Sequence, residues 1–218
     1  MRAASEGDDL TVLVAGALHL VPRAEHASLA VRRTRRRLET AASSSAIAAH
    51  VDGLQHQLGA GPCVEAVATG QVCLVDDVRN DHRWPAWSDG VTALGVGSVL
   101  CVPLAASAEP LGALTVCSRQ EHAFDAEGLD VSVALAGVVG HLVQVREERD
   151  QLSVALQSRH TIGVAQGILM ARYHLGVEGA FAVLRRLSAD HNTKLRDVAA
   201  QVAAGGDLPD GATGDGRR

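Results

Sequence analysis

The chain has 218 residues, a formal net charge of −5, 47% hydrophobic and 21% charged residues, a composition that excludes collagen-like, mucin-like and wholly disordered chains. At roughly 100 to 200 residues per domain, that length reads as one large domain or two modest ones, with two as the working count. Lys194 is the only lysine, which excludes P-loop, kinase and pyridoxal-phosphate chemistries, and with Trp84, Trp87, Phe124, Tyr173 and Phe181 as the only aromatics, base-stacking sheets of the RRM or OB type are disfavoured.

Asp8 and Asp9 precede the apolar Leu10, Val12, Leu13, Val14, Ala17 and Leu18, a pattern that predicts a short capped helix ending at Pro22. With Glu6, Asp8 and Asp9 in the opening stretch, neither a signal peptide nor a membrane span is expected. Ala27 to Arg33 and Arg37 to Ala42 predict a β-hairpin with a basic tip over Arg32 to Arg37. Ser43, Ser44 and Ser45 offer N-caps to a helix whose Ile47, Val51, Leu54 and Leu58 mark an apolar face, and Gly59 and Gly61 stop it. Pro62 suits the first turn of a helix from Cys63 to Thr69, closed by Gly70. A strand over Val72 to Val75, a helical segment from Trp84 to Leu94, and paired core strands over Val96 to Leu104 and Leu111 to Ser118 follow.

From Asp125 a long helix begins. Its Val138, Leu142, Val145, Arg149, Leu152 and Leu156 alternate by four and three, the a/d pattern of a coiled-coil seam broken once by Arg149. The spacing predicts homodimerisation through Val138, Leu142, Val145, Leu152 and Leu156. Cys63, Cys73, Cys101 and Cys117 form no CxxC pair, which leaves a structural zinc site unsupported and suits thiols in a reducing cytoplasm.

The segment Ser158 to Ala204 carries six basic against three acidic side chains, a net +3 on a chain of net −5, and a basic module on an acidic carrier points to nucleic acid. Its apolar positions predict three helices, with Gly176 ending the first and Thr193 capping the third. Ala165, Leu169, Phe181 and Leu184 are assigned to the core of that bundle by their helical spacing. So small a bundle holds no cleft and must bind by its surface. The tail from Gly205 is expected to be disordered.

The runs Ile162 to Met170, Ala180 to Arg186 and Asn192 to Ala199 resemble the ANTAR domain across all three helices in order. ANTAR proteins are RNA-binding transcription antiterminators, which bind paired stem-loops in nascent leader RNA and so prevent an overlapping terminator from forming. Carried over, the resemblance implies that Arg172, Arg185, Arg186, Lys194 and Arg196 hold phosphates and loop bases, with His191 and Asn192 as polar base-readers. Gln166 stands where the family usually has lysine, and can still donate a hydrogen bond to a base or phosphate.

Residues from about Leu10 to Val145, through the Gly61-Pro62-Cys63 turn, Trp84-Pro85-Ala86-Trp87 and Phe124-Asp125, are similar to GAF domains, in particular those preceding ANTAR in actinobacterial regulators. The two resemblances imply an α+β chain: a GAF-like antiparallel sheet flanked by helices over 8–145, a coiled-coil linker to about 157, and a three-helix ANTAR bundle over 158–204. No cofactor is implied; the cyclic-nucleotide GAF signature is absent, and none of His50, His56, His82, His122 and His141 is marked as a haem ligand. Expected partners are RNA, a second copy of the chain and an unidentified small molecule on the GAF domain, with no membrane, in the cytoplasm. The enzyme alternative is a resemblance to free methionine sulfoxide reductase, a GAF-fold enzyme, for which Cys63 at a helix N-terminus would have its thiol pKa lowered by the dipole. Against it, that family's Gly-His-Ile-Ala-Cys-Asp stretch is missing and Cys101 and Cys117 lie in apolar strands. The residues also leave open a thiol redox sensor and a DNA-binding regulator.

Overall fold

The computed structural model describes residues 3–34, 37–105 and 109–205. Arg35 and Arg36 of the expected basic tip, and the tail from residue 206, lie outside the described residues. The chain divides into two compact units at residues 146 and 147.

The first unit is built on a five-stranded antiparallel sheet in the order β2-β1-β5-β4-β3: β1 (His26–Thr34), β2 (Arg37–Ser43), β3 (Cys73–Val75), β4 (Ser98–Pro103) and β5 (Gly112–Ser118). Side chains alternate between its two faces. Leu29, Val31, Leu114 and Val116 point to one core, shared with Val14 and Ala17 of α1 (Ala3–Leu20) and Ala136, Val139 and Val143 of α5 (Ala126–Tyr173). Ala30, Ala113 and Cys117 point to the other, under α2 (Ala46–Leu58), α3 (Pro62–Thr69) and α4 (Pro85–Ala93). Because β4 and β5 are buried on both faces throughout, they read in sequence as largely apolar runs, interrupted by Ser98, Thr115 and Ser118. Glycine is required at position 112, where a Cβ would collide with the carbonyl oxygen of Ala30 on the neighbouring strand.

Several local expectations are refined. α1 begins at Ala3, so Asp8 and Asp9 fall inside it rather than capping it, and Asp9 pairs with Arg146 at 2.5 Å. Ser45 is the N-cap of α2, accepting from the Ala48 amide at 3.2 Å. The buried face of α2 is Ala48, Val51, Asp52 and Gln55, whereas Leu58 is 46% exposed. The helix is turned from its expected apolar stripe because Asp52 and Gln55 find hydrogen-bonding partners inside the fold, the Thr40 hydroxyl and the Cys63 amide.

α5 is a single helix of 48 residues, unbroken through positions 157 and 158. Its most apolar 18-residue window reaches a mean hydropathy of 1.6, enough by length and composition to cross a bilayer. Ser132, Ala136, Val139 and Val143 nevertheless form a buried stripe on the sheet side. Val138, Leu142, Val145, Leu152 and Leu156 form a second stripe, exposed by 40 to 66%.

The second unit packs the C-terminal part of α5 with α6 (Val177–Asp190) and α7 (Leu195–Ala203) around Ala165, Leu169, Ala180, Leu184, Leu187, Val198, Ala199 and Val202. Gly176 is the N-cap of α6 rather than the end of the preceding helix, which closes at Tyr173. Thr193 is not the cap of α7: Lys194 occupies that place, and the Thr193 hydroxyl donates to the His191 carbonyl at 3.1 Å.

Candidate functional site

Two separate regions hold the polar chemistry of the molecule. In the second unit His191, Asn192, Lys194 and Arg196 cluster at the α6–α7 turn and the start of α7. Ser188 locks this turn from both sides, its carbonyl accepting from the Thr193 amide at 3.0 Å and its hydroxyl donating to the Thr193 carbonyl at 2.6 Å. The clasp is completed by Asn192 in the left-handed region at φ 47°, a conformation asparagine tolerates better than most residues. His191 Nδ1 lies 3.0 Å from the Leu187 carbonyl, which orients the ring along the last turn of α6. His191, Asn192, Lys194 and Arg196 are all exposed within this six-residue stretch, and Arg196 pairs with Asp197 at 3.4 Å.

Arg185 and Arg186 are exposed on α6, and Arg172 is exposed at the end of α5 with its guanidinium 6.0 Å from the Tyr173 ring centre. Gln166 is half-buried and its amide donates to the Val177 carbonyl at 3.3 Å, so part of its donor capacity is used inside the bundle. Phe181 departs from its core assignment. It is 36% exposed and absent from the bundle's buried cluster, which Ala165, Leu169 and Leu184 do join. Val177, Phe181 and Arg185 follow one another at four-residue intervals along α6 and so share one face of it.

The first unit hides a polar cluster beneath α2. Asp52 is fully buried, accepts from Thr40 Oγ1 at 3.2 Å and has its other oxygen without a partner. Burial raises its pKa from 3.8 to about 6 against the opposing influence of the Ser28, Thr40 and Thr115 hydroxyls. Gln55, also fully buried, accepts the Cys63 amide at 2.6 Å through Oε1 and so holds the N-terminus of α3, with its Nε2 unpartnered.

The four cysteines are buried free thiols. Burial pushes every one of them upward: Cys73 to about 11, with Arg83 in partial opposition, Cys63 and Cys101 well above the ordinary value, and Cys117 likewise. The expected lowering of Cys63 by the helix dipole is thus reversed, because desolvation and the nearby Asp52 both disfavour a thiolate there.

Comparison with known families decides what the two units are. A family model of the GAF domain matches residues 3–144, and one of the ANTAR domain matches residues 150–202. The chain belongs to the GAF- and ANTAR-domain proteins. Comparison with curated proteins gives no match. Among solved structures, the chain is similar to type II free methionine-R-sulfoxide reductase from Thermoplasma acidophilum at 18% identity, over 64% of this chain and 93% of that one, with a TM-score of 0.51. It is similar to the GAF domain of Acinetobacter phosphoenolpyruvate-protein phosphotransferase at 16% identity, over 66% and 85%, with a TM-score of 0.53. The blue-light absorbing form of the Thermosynechococcus elongatus PixJ GAF domain matches at 19% identity, over 70% and 92%, with a TM-score of 0.52. At these identities the likeness establishes the fold. The GAF–ANTAR pairing is that of a regulatory sensor protein, in which ANTAR belongs to a family of RNA-binding antitermination regulators and GAF is a sensory domain.

Proposed function

We propose that this GAF–ANTAR protein is a cytoplasmic, non-enzymatic, signal-responsive regulator that binds paired stem-loops in nascent leader RNA and prevents transcription termination. The observation that carries the reading is the α6–α7 turn, where His191, Asn192, Lys194 and Arg196 stand exposed on a backbone clasped by Ser188. Arg172, Arg185 and Arg186 add positive charge for phosphates, and Gln166 retains one amide hydrogen for a further contact. Phe181 adds an exposed apolar ring four residues before Arg185 on α6, suited to an unpaired loop base.

The protein acts as a homodimer through Val138, Leu142, Val145, Leu152 and Leu156, whose exposure along α5 leaves a heptad-spaced stripe for a second copy. Two bundles in one dimer make the second hairpin contact effectively intramolecular, so modest affinity for each hairpin suffices. The residue divisions that go with this reading are a sensor over 8–145, a linker to about 157 and an RNA-binding bundle over 158–204.

The deciding experiment is a gel shift with leader RNA carrying two stem-loops, beside scrambled RNA and duplex DNA of the same sequence at moderate salt. Preference for the paired stem-loops is expected. Equal binding to scrambled RNA removes specific recognition, and preference for the duplex makes the protein a DNA-binding regulator.

A further inference from the structure

A cavity of about 650 Å³ opens at one edge of the GAF unit, between the distal ends of β1 and β2, the C-terminal half of α2, α3, and Glu109 and Pro110 ahead of β5. That volume lies within the range of sites for small organic molecules. Its polar lining is unbalanced. Gln55 and His56 face it, and both carry a buried nitrogen, Nε2 in each, that has no hydrogen-bonding partner.

Gln55 has no freedom to turn that nitrogen elsewhere. Its Oε1 is fixed on the Cys63 amide, and its Cγ lies so close over Gly61, at φ 142°, that a Cβ there would stand 2.6 Å away. Burial lowers the His56 pKa from 6.5 and so favours the neutral ring, which carries one N–H on one of its two nitrogens. Unpaired buried polar atoms are rare in folded proteins; Gln55 Nε2 is a donor, His56 Nε2 becomes one in the tautomer that places the ring proton there, and an acceptor entering the cavity meets both.

Among the described residues, the charged groups lining the cavity are Arg32, Arg37 and Glu109. Arg32 is set well inside, its side chain 19% exposed, and donates to Glu109 Oε2 at 2.9 Å and to the Pro110 carbonyl. Glu109 already places one carboxylate on that guanidinium, while Arg37 adds an exposed positive charge at the rim. Val67 supplies apolar wall. Donors without acceptors and an excess of positive charge select an oxyanion.

We infer that this cavity binds a small organic oxyanion, a carboxylate or a phosphate ester, through Gln55 Nε2, His56 Nε2 and Arg37. The inference rests on the reading of GAF as the sensory domain and names the chemistry of the signal it takes. Inorganic phosphate and succinate, the two probes, are titrated into the full chain at constant ionic strength against chloride, with thermal unfolding as readout. A saturable rise in Tm is expected with at least one of them, and the probe with the lower half-saturation shows whether phosphate or carboxylate is preferred. Arg37→Gln and His56→Phe should each raise the half-saturation at least tenfold. Arg37 is exposed, so its variant keeps the unliganded Tm and remains informative if His56→Phe folds poorly. No saturable shift with either probe, or equal shifts in the wild type and Arg37→Gln, overturns the inference. Hairpin binding by the same Arg37→Gln protein is measured by gel shift: loss of the anion effect with RNA binding intact concerns this cavity, and absence of RNA binding in the wild type concerns the regulator reading.

Discussion

Thr40 Oγ1 donates to Asp52 Oδ2 across 3.2 Å, joining the edge strand β2 to the buried face of α2. A carboxyl group in that position gains the influence of neighbouring hydroxyls and loses water, and the loss dominates, raising its pKa from 3.8 to about 6. The folded protein therefore holds the Asp52 proton more tightly than the unfolded chain does. The stability this contributes is complete below pH 3.8 and is lost as pH rises through about 6. Asp52→Asn, neutral at every pH, should match the wild type near pH 4 and exceed it near pH 7.5 by up to about 3 kcal/mol. Urea unfolding of both proteins at the two pH values checks this; a difference that does not change with pH would show that the carboxyl is solvated after all.

The thiols give a second prediction. Cys63, Cys101 and Cys117 are 0% exposed and Cys73 is 4% exposed, each with its thiolate disfavoured by burial. An aromatic disulfide reagent at pH 8 should find no rapidly reacting thiol in the native protein and all four after denaturation. Cys73 should be first among slow reactions, since it lies on the three-residue strand β3 at the sheet edge. Fast labelling of Cys63 in the native protein would restore the case for thiol chemistry.

Much of this fold was legible because most elements announce themselves locally. The serine run capping α2, Pro62 opening α3, and the apolar β4 and β5 all act through neighbours in sequence. What stayed hidden depends on contacts distant in sequence or on rotation about a helix axis. Asp52 and Gln55 look like solvent-facing residues until Thr40 and the Cys63 amide are seen to receive them. The spacing of Ala48, Asp52 and Gln55 by four and three is the one signal that could have found that face. Phe181 carries the same helical spacing as Leu184, and periodicity alone cannot distinguish a core flank from an exposed ring. The polar side chains proposed for RNA were all readable, but their common footing on the Ser188 clasp was not.

The exposed stripe on α5 yields a third prediction. Leu142 and Leu152 are 40% and 66% exposed in the single chain, so glutamate at both positions should leave the folded unit and its circular dichroism unchanged. In a dimer the same two changes bury four charges in the seam and should give monomers by sedimentation equilibrium. An unaltered mass in the double variant would assign the stripe to something other than self-association.

Phe181 and Arg185, one turn apart on α6, separate two kinds of RNA contact. Arg185 is exposed and acts through charge, so Arg185→Ala should weaken stem-loop binding and reduce the slope of log affinity against log salt by about 1. Phe181 is uncharged and 36% exposed; Phe181→Ala should weaken binding by about 1–3 kcal/mol, the worth of a base stacked on an aromatic ring, with the salt slope intact. Both variants retain Ala180, Leu184 and Leu187 as the buried side of α6, so unfolding midpoints separate a binding loss from a folding loss. Wild-type affinity in Phe181→Ala would return that ring to the role of packing at the bundle's edge and leave recognition to the α6–α7 turn.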